Sequence, residues 1–556
     1  MSFISQAAQH PHAHMQGASG RMAWLGQRLS RCLRTGATAT CLALAMGAPL
    51  VQAAPLRFTA QADLQSWDIH ALNVLIHNSV HGMVYESLVA FDSSTLALTP
   101  VLATGWSNPT PLQWRFELRQ GVLFQDGSSF GADDVVFSLK RAMAKGSAYL
   151  PYARGITQVT KVDDYTVDVF TDQPRPVLLR QLTMLRIMSQ AWATKHQAQR
   201  PQTLPPEHEL YSHRNAMGTG PYTLLEWKAE QYTRLRSNPR WWGHAAGRRS
   251  GNVDSIEFLP LLSPAARTAA LLSGAVDLVL DPALQDIRQL ERKPQLQVLN
   301  GPENRTVMLG MRHARKPFSD ERVRKAIYQA LDIDSLIAHQ LNRLVTPSGT
   351  IVAPMINGWS ADNDQRLAFE PDEAIRLLKD AGYTAAQPLT LQPVCPNDRH
   401  SLDTTLCTAI AAMWKRAGIH TKMASMPIAS YVTALRRGQG DVYLMGWGVP
   451  TLDAQYTLRD LVHSKGEFNF GQFSDQAIDR LIERSAQELD GPVRQSLLHD
   501  ALKSTQSKLA YVPLFNQTNP WAMRRGIQVV HRPDNILDVT RIQISEPATA
   551  PTKSAP

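Results

Sequence analysis

One segment near the middle of the chain carries residues of the types that bind zinc. His208, Glu209 and His213 are the residue types of the zinc-protease motif, in which two histidines bind the metal and a glutamate acts as the base. The two histidines are five residues apart, however, whereas ligation from one face of a helix needs a separation of four. Pro205 and Pro206 also favour a loop at this point. We therefore predict surface polar residues here and no metal site.

Other motifs of catalysis or cofactor binding are absent from the sequence. There is no Gly-x-Ser-x-Gly elbow, no glycine-rich loop ending in Lys-Ser or Lys-Thr, and no Gly-x-Gly-x-x-Gly after a strand. Gly218-Thr219-Gly220 precedes a proline and an alternating stretch, which indicates a turn rather than a phosphate-binding helix start. We predict neither catalytic residues nor a cofactor. A secreted hydrolase built from residues distant in sequence stays open as an alternative.

Four cysteines divide between the first 53 residues and the rest of the chain. Cys32 and Cys41 lie in the N-terminal segment, so a processed chain keeps Cys395 and Cys407. In an oxidising compartment these two would form a disulfide bond that closes a short loop and adds about 3 kcal/mol of stability. The alternative is a pair of free buried thiols.

The N-terminal segment has the organisation of a secretory signal peptide. Arg28, Arg31 and Arg34 precede a mostly apolar run over 37–50, and small residues follow. The run is shorter than the roughly 20 residues that cross a membrane. We predict that residues 1–53 are a signal peptide cleaved near Ala53/Ala54 and that the protein is periplasmic. A membrane anchor, or a lipoprotein through Cys41, stays open.

The distribution of charge along the chain argues against a general nucleic-acid-binding protein. The chain has 57 Lys and Arg, 48 Asp and Glu, and a formal charge of +9. Four of these arginines lie in residues 1–53, which contain no acidic residue. The remaining positive charges are dispersed, with no cluster that would bind a phosphate backbone.

Hydrophobic periodicity predicts alternating strands and helices in the rest of the chain. Trp114, Phe116 and Leu118 alternate with charged residues and indicate a half-buried strand. Apolar residues recur at helical spacing after Ser319 and again after Pro371, in each case behind acidic residues that suit a helix N-terminus. This pattern predicts a mixed α/β protein with several layers.

Seven groups of residues, taken in order, resemble the landmarks of a known family. They are Tyr85-Glu-Ser-Leu88; Pro100 to Trp106; Trp114 to Gly127 with Ala132 to Arg141; Gly218-Thr-Gly-Pro-Tyr222 with Trp241-Trp242; Leu272 to Asp277; Pro317 to Ala326; and Gly446-Trp447. This set resembles the family 5 extracellular solute-binding proteins, the peptide and nickel group of ABC-importer receptors. The resemblance extends from about Leu56 to Val530.

The resemblance implies a two-lobed periplasmic-binding-protein fold, of the type II or Venus-flytrap kind, with an extra inserted domain. The implied domains are domain I at 54–90, 215–302 and 515–545, the inserted domain II at 91–214, domain III at 303–514, and a flexible tail at 546–556. Such a protein binds a solute between its lobes and performs no bond chemistry.

Three substrate-binding residues are implied by the resemblance to dipeptide-binding members. Asp453 would bind the ligand's ammonium group, Arg399 would bind its carboxylate through a planar guanidinium, and Trp447 would form a wall of the pocket. Pro450 stands where several peptide-binding members carry a further acidic residue. A nickel or other metal chelate therefore stays open as an alternative ligand.

The implied function is to capture short peptides outside the cytoplasm for an ABC importer. Its partners would be a short-peptide or small-molecule ligand and the membrane permease with its two ATPases. No nucleic-acid partner is expected, and the protein would be a monomer. A periplasmic chaperone or a sensory receptor on the same fold is a further alternative.

Overall fold

The computed structural model of the protein describes residues 54–206, 208–397 and 403–545. The predictions for the signal peptide at 1–53, for Arg399 and for the tail at 546–556 lie outside the described residues. Within the described ranges, every helix is too short or too polar to cross a membrane.

The strands in the described part of the chain are mostly short, and two of them are long. They are β1 (Ala54–Ala60), β2 (Val89–Phe91), β3 (Leu98–Pro100), β4 (Ala103–Thr110), β5 (Gln113–Leu118), β6 (Ile156–Asp163), β7 (Thr166–Thr171), β8 (Tyr222–Lys228), β9 (Tyr232–Ser237), β10 (Val253–Pro260), β11 (Leu278–Leu280), β12 (Leu296–Met311), β13 (Thr346–Pro347), β14 (Thr390–Leu391), β15 (Pro393–Pro396), β16 (His420–Thr421), β17 (Ala424–Met426), β18 (Val442–Gly448), β19 (Tyr511–Arg524), β20 (Ile527–Gln528) and β21 (Gln543–Ile544).

Helices alternate with these strands along most of the described chain. They are α1 (Leu75–Val84), α2 (Ala132–Met143), α3 (Leu150–Ala153), α4 (Leu178–Leu182), α5 (Gln190–Lys195), α6 (Tyr211–Arg214), α7 (Pro264–Ser273), α8 (Ile287–Glu291), α9 (Glu321–Gln329), α10 (Ile333–Gln340), α11 (Pro371–Asp380), α12 (Asp403–Arg416), α13 (Ile428–Arg436), α14 (Ala454–Thr457), α15 (Gln476–Gln487) and α16 (Gly491–Ser507).

The local patterns in the sequence predicted individual elements well. In β5 the alternation is confirmed, since Trp114, Phe116 and Leu118 are buried between less buried residues. Helix α11 begins at Pro371 as predicted. Helix α9 begins two residues after Ser319, because the carboxylate of Asp320 accepts a hydrogen bond from the Arg322 amide and caps the helix.

An eleven-stranded sheet connects the hydrophobic cores of the molecule. Its order is β17-β15-β18-β12-β19-β11-β1-β10-β9-β8, with β13 added beside β19. Strands β12 and β19 are antiparallel, and their register shifts between Pro302 and Thr306. Before the shift β12 contributes Leu296 to one core, and after it Met308 and Leu309 belong to others. The irregular segment 303–305 therefore lies where the sheet passes between cores.

The buried apolar residues form separate clusters that divide the chain in space. One cluster surrounds β1 and β10, and a second surrounds the four-stranded sheet β4-β5-β7-β6. Two more clusters lie among residues 307–515, and one of these two also contains Phe91. Residues 188–198 contribute to the cluster around β1. The boundaries of the three implied domains stay a prediction.

Cys395 and Cys407 are joined by a disulfide bond in the structure. Cys395 lies in β15 and Cys407 lies in α12, so the bond connects a strand to the helix that follows it in sequence. Both side chains are buried. The bond closes the segment that contains Arg399.

Reducing this disulfide is expected to lower the free energy of unfolding by about 2–4 kcal/mol, because the closed loop restricts the unfolded chain. Denaturant unfolding with and without reductant measures the effect. A Cys395→Ser/Cys407→Ser variant should match the reduced protein and show no further response to reductant. Equal midpoints for the oxidised and reduced wild-type protein would contradict the expectation.

Candidate functional site

A cavity of about 850 Å³ lies among the described residues. It is lined by residues from separate parts of the chain: 73–101, 152, 183–186, 221–250, 303–305, 446–456 and 532–541. The irregular part of β12 and the end of β18 form one wall, and helix α1 with the segment after α4 forms another. A cavity of this size accommodates a small ligand.

Two of the seven landmark groups, which comprise three chain segments, meet at one buried carboxylate that lines this cavity. Glu86 accepts hydrogen bonds from the Thr219 hydroxyl at 2.8 Å and from the indole nitrogens of Trp241 and Trp242 at 3.1 and 2.8 Å. Burial raises the pKa of Glu86 above its usual range, although these hydrogen bonds oppose the shift. The residues Tyr85–Leu88, Gly218–Tyr222 and Trp241–Trp242 are therefore a single structural unit.

Gly218 is required in this unit because the backbone packs closely there. A Cβ atom at Gly218 would lie 2.1 Å from the carbonyl oxygen of Val84 at the end of α1. The Gly220 amide donates a hydrogen bond to the same carbonyl at 2.9 Å. The Gly-Thr-Gly-Pro segment is thus a packed turn, as the sequence predicted, and not a phosphate-binding loop.

Arg186 lines the cavity without a carboxylate partner. Its guanidinium donates hydrogen bonds to the carbonyl oxygens of Tyr85 and Asn78, each at 3.3 Å. Among the described residues no carboxylate lies within 4.0 Å of it. Burial lowers the pKa of Arg186 below its usual value. Arg186 is thus a half-buried cation at the cavity whose guanidinium has only backbone carbonyl oxygens as hydrogen-bond acceptors among the described residues.

Arg186 was missed by the sequence reasoning, although one signal was available. It interrupts an apolar stretch, between Leu185 and Ile187, both of which are buried. A single charge inside such a stretch indicates a side chain that must find a specific partner.

Trp447 lines the cavity, and its contact with a ligand stays a prediction. Its ring stacks on Tyr456, with centroids 5.5 Å apart and planes inclined by 29°, and it also contacts Phe468 at 5.2 Å. Tyr456 lines the cavity as well. The rings of Trp447 in β18 and Tyr456 in α14 form a rigid apolar surface of the cavity.

Asp453 is buried inside the protein and does not line the cavity. Its carboxylate forms two hydrogen bonds with Arg494, at 2.7 and 2.9 Å, and accepts one from Asn357 at 3.0 Å. It also caps α14 through the Gln455 amide, and the Arg180 guanidinium lies 3.7 Å away. Burial alone would raise the pKa of Asp453, but the nearby arginines hold it below its usual value.

The structure therefore brings together Trp447 and the missed Arg186 at the cavity, and places Asp453 elsewhere. The predicted contact of Asp453 with a ligand stays a prediction, since protein groups occupy the carboxylate in this conformation. Arg399 lies outside the described residues.

The zinc-like segment holds no metal arrangement within the described ranges. No three His, Cys, Asp or Glu side chains there are close enough together to bind a metal ion. The imidazole of His213 lies 4.0 Å from Glu209, whose carboxylate also pairs with Arg214.

Comparison with known proteins places these features in context. Residues 97–469 match the sequence profile described as bacterial extracellular solute-binding proteins, family 5 Middle. Heme-binding protein A of Haemophilus influenzae is 25% identical over 470 residues, which cover 79% of this chain and 82% of that protein. The periplasmic oligopeptide-binding protein OppA of Escherichia coli is 22% identical over 88% of this chain and 93% of its own.

A solved structure of a periplasmic binding protein has a similar fold. The periplasmic binding protein DppA of Helicobacter pylori, in complex with the peptide STSA, superposes with a TM-score of 0.71. The match covers 89% of this chain and 98% of that one at 22% identity. The prediction of a mixed α/β periplasmic-binding-protein fold is thereby confirmed.

Proposed function

Because the chain belongs to the bacterial extracellular solute-binding proteins of family 5, we propose that it captures short peptides in the 850 Å³ cavity and delivers them to an ABC importer. The observation that carries the proposal is the cavity itself, which joins the unpaired Arg186 to the aromatic wall of Trp447 and Tyr456. A short peptide has a carboxylate that would pair with Arg186 and side chains that would pack against the aromatic wall.

The site residues of this proposal differ in part from those that the resemblance implies. Arg186 binds the ligand carboxylate, and Trp447 packs against the ligand. Arg399 is kept as a second cation, on the segment that the disulfide closes. Asp453 is left out of the ligand site, because its carboxylate is occupied and fully buried.

The partners and location follow from the same proposal. The loaded protein would contact the importer's permease, which its ATPases drive, and would release its ligand chemically unchanged. The protein would act in the periplasm after removal of residues 1–53 near Ala53/Ala54. The relatives OppA and DppA carry periplasmic binding in their names, which supports this placement.

Native mass spectrometry of the protein purified from a periplasmic fraction tests the proposal. We expect additional mass that corresponds to intact peptides, and stabilisation by a mixed-sequence tripeptide pool in a thermal unfolding experiment. Recovery of a nickel chelate, and stabilisation by nickel with histidine but not by peptides, would favour the alternative. Cleavage of the peptides during incubation would contradict a binding protein.

A further inference from the structure

We infer that the cavity recognises its ligand through a negatively charged group and forms no ion pair with a ligand ammonium group. The inference rests on the proposed function and specifies the ligand class: peptides with a free carboxyl group, whether the amino terminus is free or blocked. The inference follows from the ion pairs and hydrogen bonds that charged side chains at the cavity already form within the protein.

Four of the carboxylates that line the cavity are held by protein donors at short distances. The pairs are Asp92 with Arg541 at 2.9 Å, Glu303 with Arg305 at 2.9 Å, Asp534 with Arg532 at 2.5 and 2.9 Å, and Asp538 with the Ser93 hydroxyl at 2.6 Å. Arginine side chains already balance the charges of Asp92, Glu303 and Asp534, so a ligand ammonium group would compete there with a protein cation. Exchanging one buried donor for another yields little net affinity.

Glu86 is the remaining carboxylate among the cavity-lining residues that the structure describes. It has no cation within 4.0 Å, but its oxygens already accept three hydrogen bonds from Thr219, Trp241 and Trp242. Only 7% of the residue is exposed. Its contacts hold the landmark segments together and leave about one acceptor position of the four in a carboxylate.

Two arginines from different parts of the chain occupy the carboxylate of Asp453, so it is not available to a ligand amine. Arg494 of α16 binds both of its oxygens, and Arg180 of α4 approaches from another hydrophobic core. Arg180 also donates to the carbonyl oxygen of Leu452 at 3.1 Å, which fixes the loop over the carboxylate. The charge that would attract an ammonium group is therefore neutralised internally.

Two of the arginines that line the cavity, unlike Arg305, Arg532 and Arg541, have no carboxylate of a described residue within 4.0 Å. Arg186 donates only to carbonyl oxygens. Arg248 donates to the carbonyl oxygen of Pro100 at 2.6 Å and lies over the ring of Trp242, and no carboxylate of a described residue is within 4.0 Å. A ligand carboxylate is the group that completes this arrangement, with the planar guanidinium of Arg186 suited to bind it.

Three mixed-sequence tripeptide pools test the inference: free, N-acetylated and C-amidated. Isothermal titration calorimetry at pH 7 should give N-acetylated affinities within about threefold of the free pool, and amidated affinities at least about 30-fold weaker. In Arg186→Gln the preference for the free pool over the amidated pool should fall at least about tenfold, whereas Arg186→Lys should keep most of it. Arg154→Gln, which removes an exposed arginine that does not line the cavity, should keep the wild-type ratio.

Each outcome decides between the inference and the proposed function. A loss of more than tenfold on N-acetylation overturns the inference alone, and so does an unchanged preference for the free carboxyl group in Arg186→Gln. Absence of binding by all three pools to folded wild-type protein overturns the proposed function and the inference with it. Thermal unfolding of each variant confirms that it is folded before its affinity is compared.

Discussion

Replacing Asp453 with asparagine is expected to lower the free energy of unfolding by about 3–5 kcal/mol and to change ligand affinity little. The carboxylate is 0% exposed and is the ion-pair partner of Arg494, which is itself mostly buried. Removing one member of a buried pair leaves the other as an uncompensated charge in a medium of low dielectric constant. The nearby guanidinium of Arg180 adds to this cost.

Asp490→Asn provides a matched control for this prediction. Asp490 caps α16 through the Val493 amide just as Asp453 caps α14, but it is exposed. Asparagine caps a helix about as well as aspartate, so this change should be nearly neutral. Denaturant unfolding and calorimetry measure both variants. Reduced peptide affinity with unchanged stability in Asp453→Asn would instead support the ligand role implied by the family resemblance.

Lowering the pH from 7 to 5 is expected to destabilise the protein strongly through three buried histidines. His70, His77 and His81 are at most 1% exposed and lie close together, with the rings of His77 and His81 5.2 Å apart. Burial lowers their pKa values to about 3, 2 and 4, respectively, and the neighbouring charges of Arg141 and His81 add to the shift for His70 and His77.

The direction of the effect follows from where the protons bind. In the unfolded chain each histidine takes up a proton near pH 6.5, whereas the folded protein keeps all three neutral down to about pH 4. The free energy of unfolding therefore has its full value above pH 6.5 and decreases as the pH falls from 6.5 towards 4. The expected loss is about 2 kcal/mol for each histidine at pH 5.

A His77→Gln variant isolates one of these contributions. His77 accepts a hydrogen bond from the Gln65 amide at 2.9 Å, and a glutamine oxygen is able to accept the same bond without titrating. The unfolding free energy should then depend on pH with a slope smaller by about one proton between pH 6 and 5. Identical slopes for the variant and the wild-type protein would contradict the assignment.

The local elements could be predicted because their causes are local. Alternating burial in β5 follows from Trp114, Phe116 and Leu118, and the start of α11 follows from a proline and two acidic residues in its first turn. The family could also be recognised, because its landmarks are short segments in a fixed order. Glu86 explains why three of these segments occur together, since they contact one carboxylate.

The charge pairing of the site could not be predicted in this way. Asp453 pairs with Arg494, 41 residues later in the chain, and with Arg180, which precedes it by more than 270 residues. Arg186 matters because no carboxylate reaches it, and that depends on where every other segment lies. A sequence shows which residues carry charge, whereas only their positions in space determine which charges neutralise each other inside the protein and which remain for a ligand. The amino acids alone thus determined the family and its elements, and the tertiary structure decided the site, because electrostatic pairing depends on distance in space and not on separation along the chain.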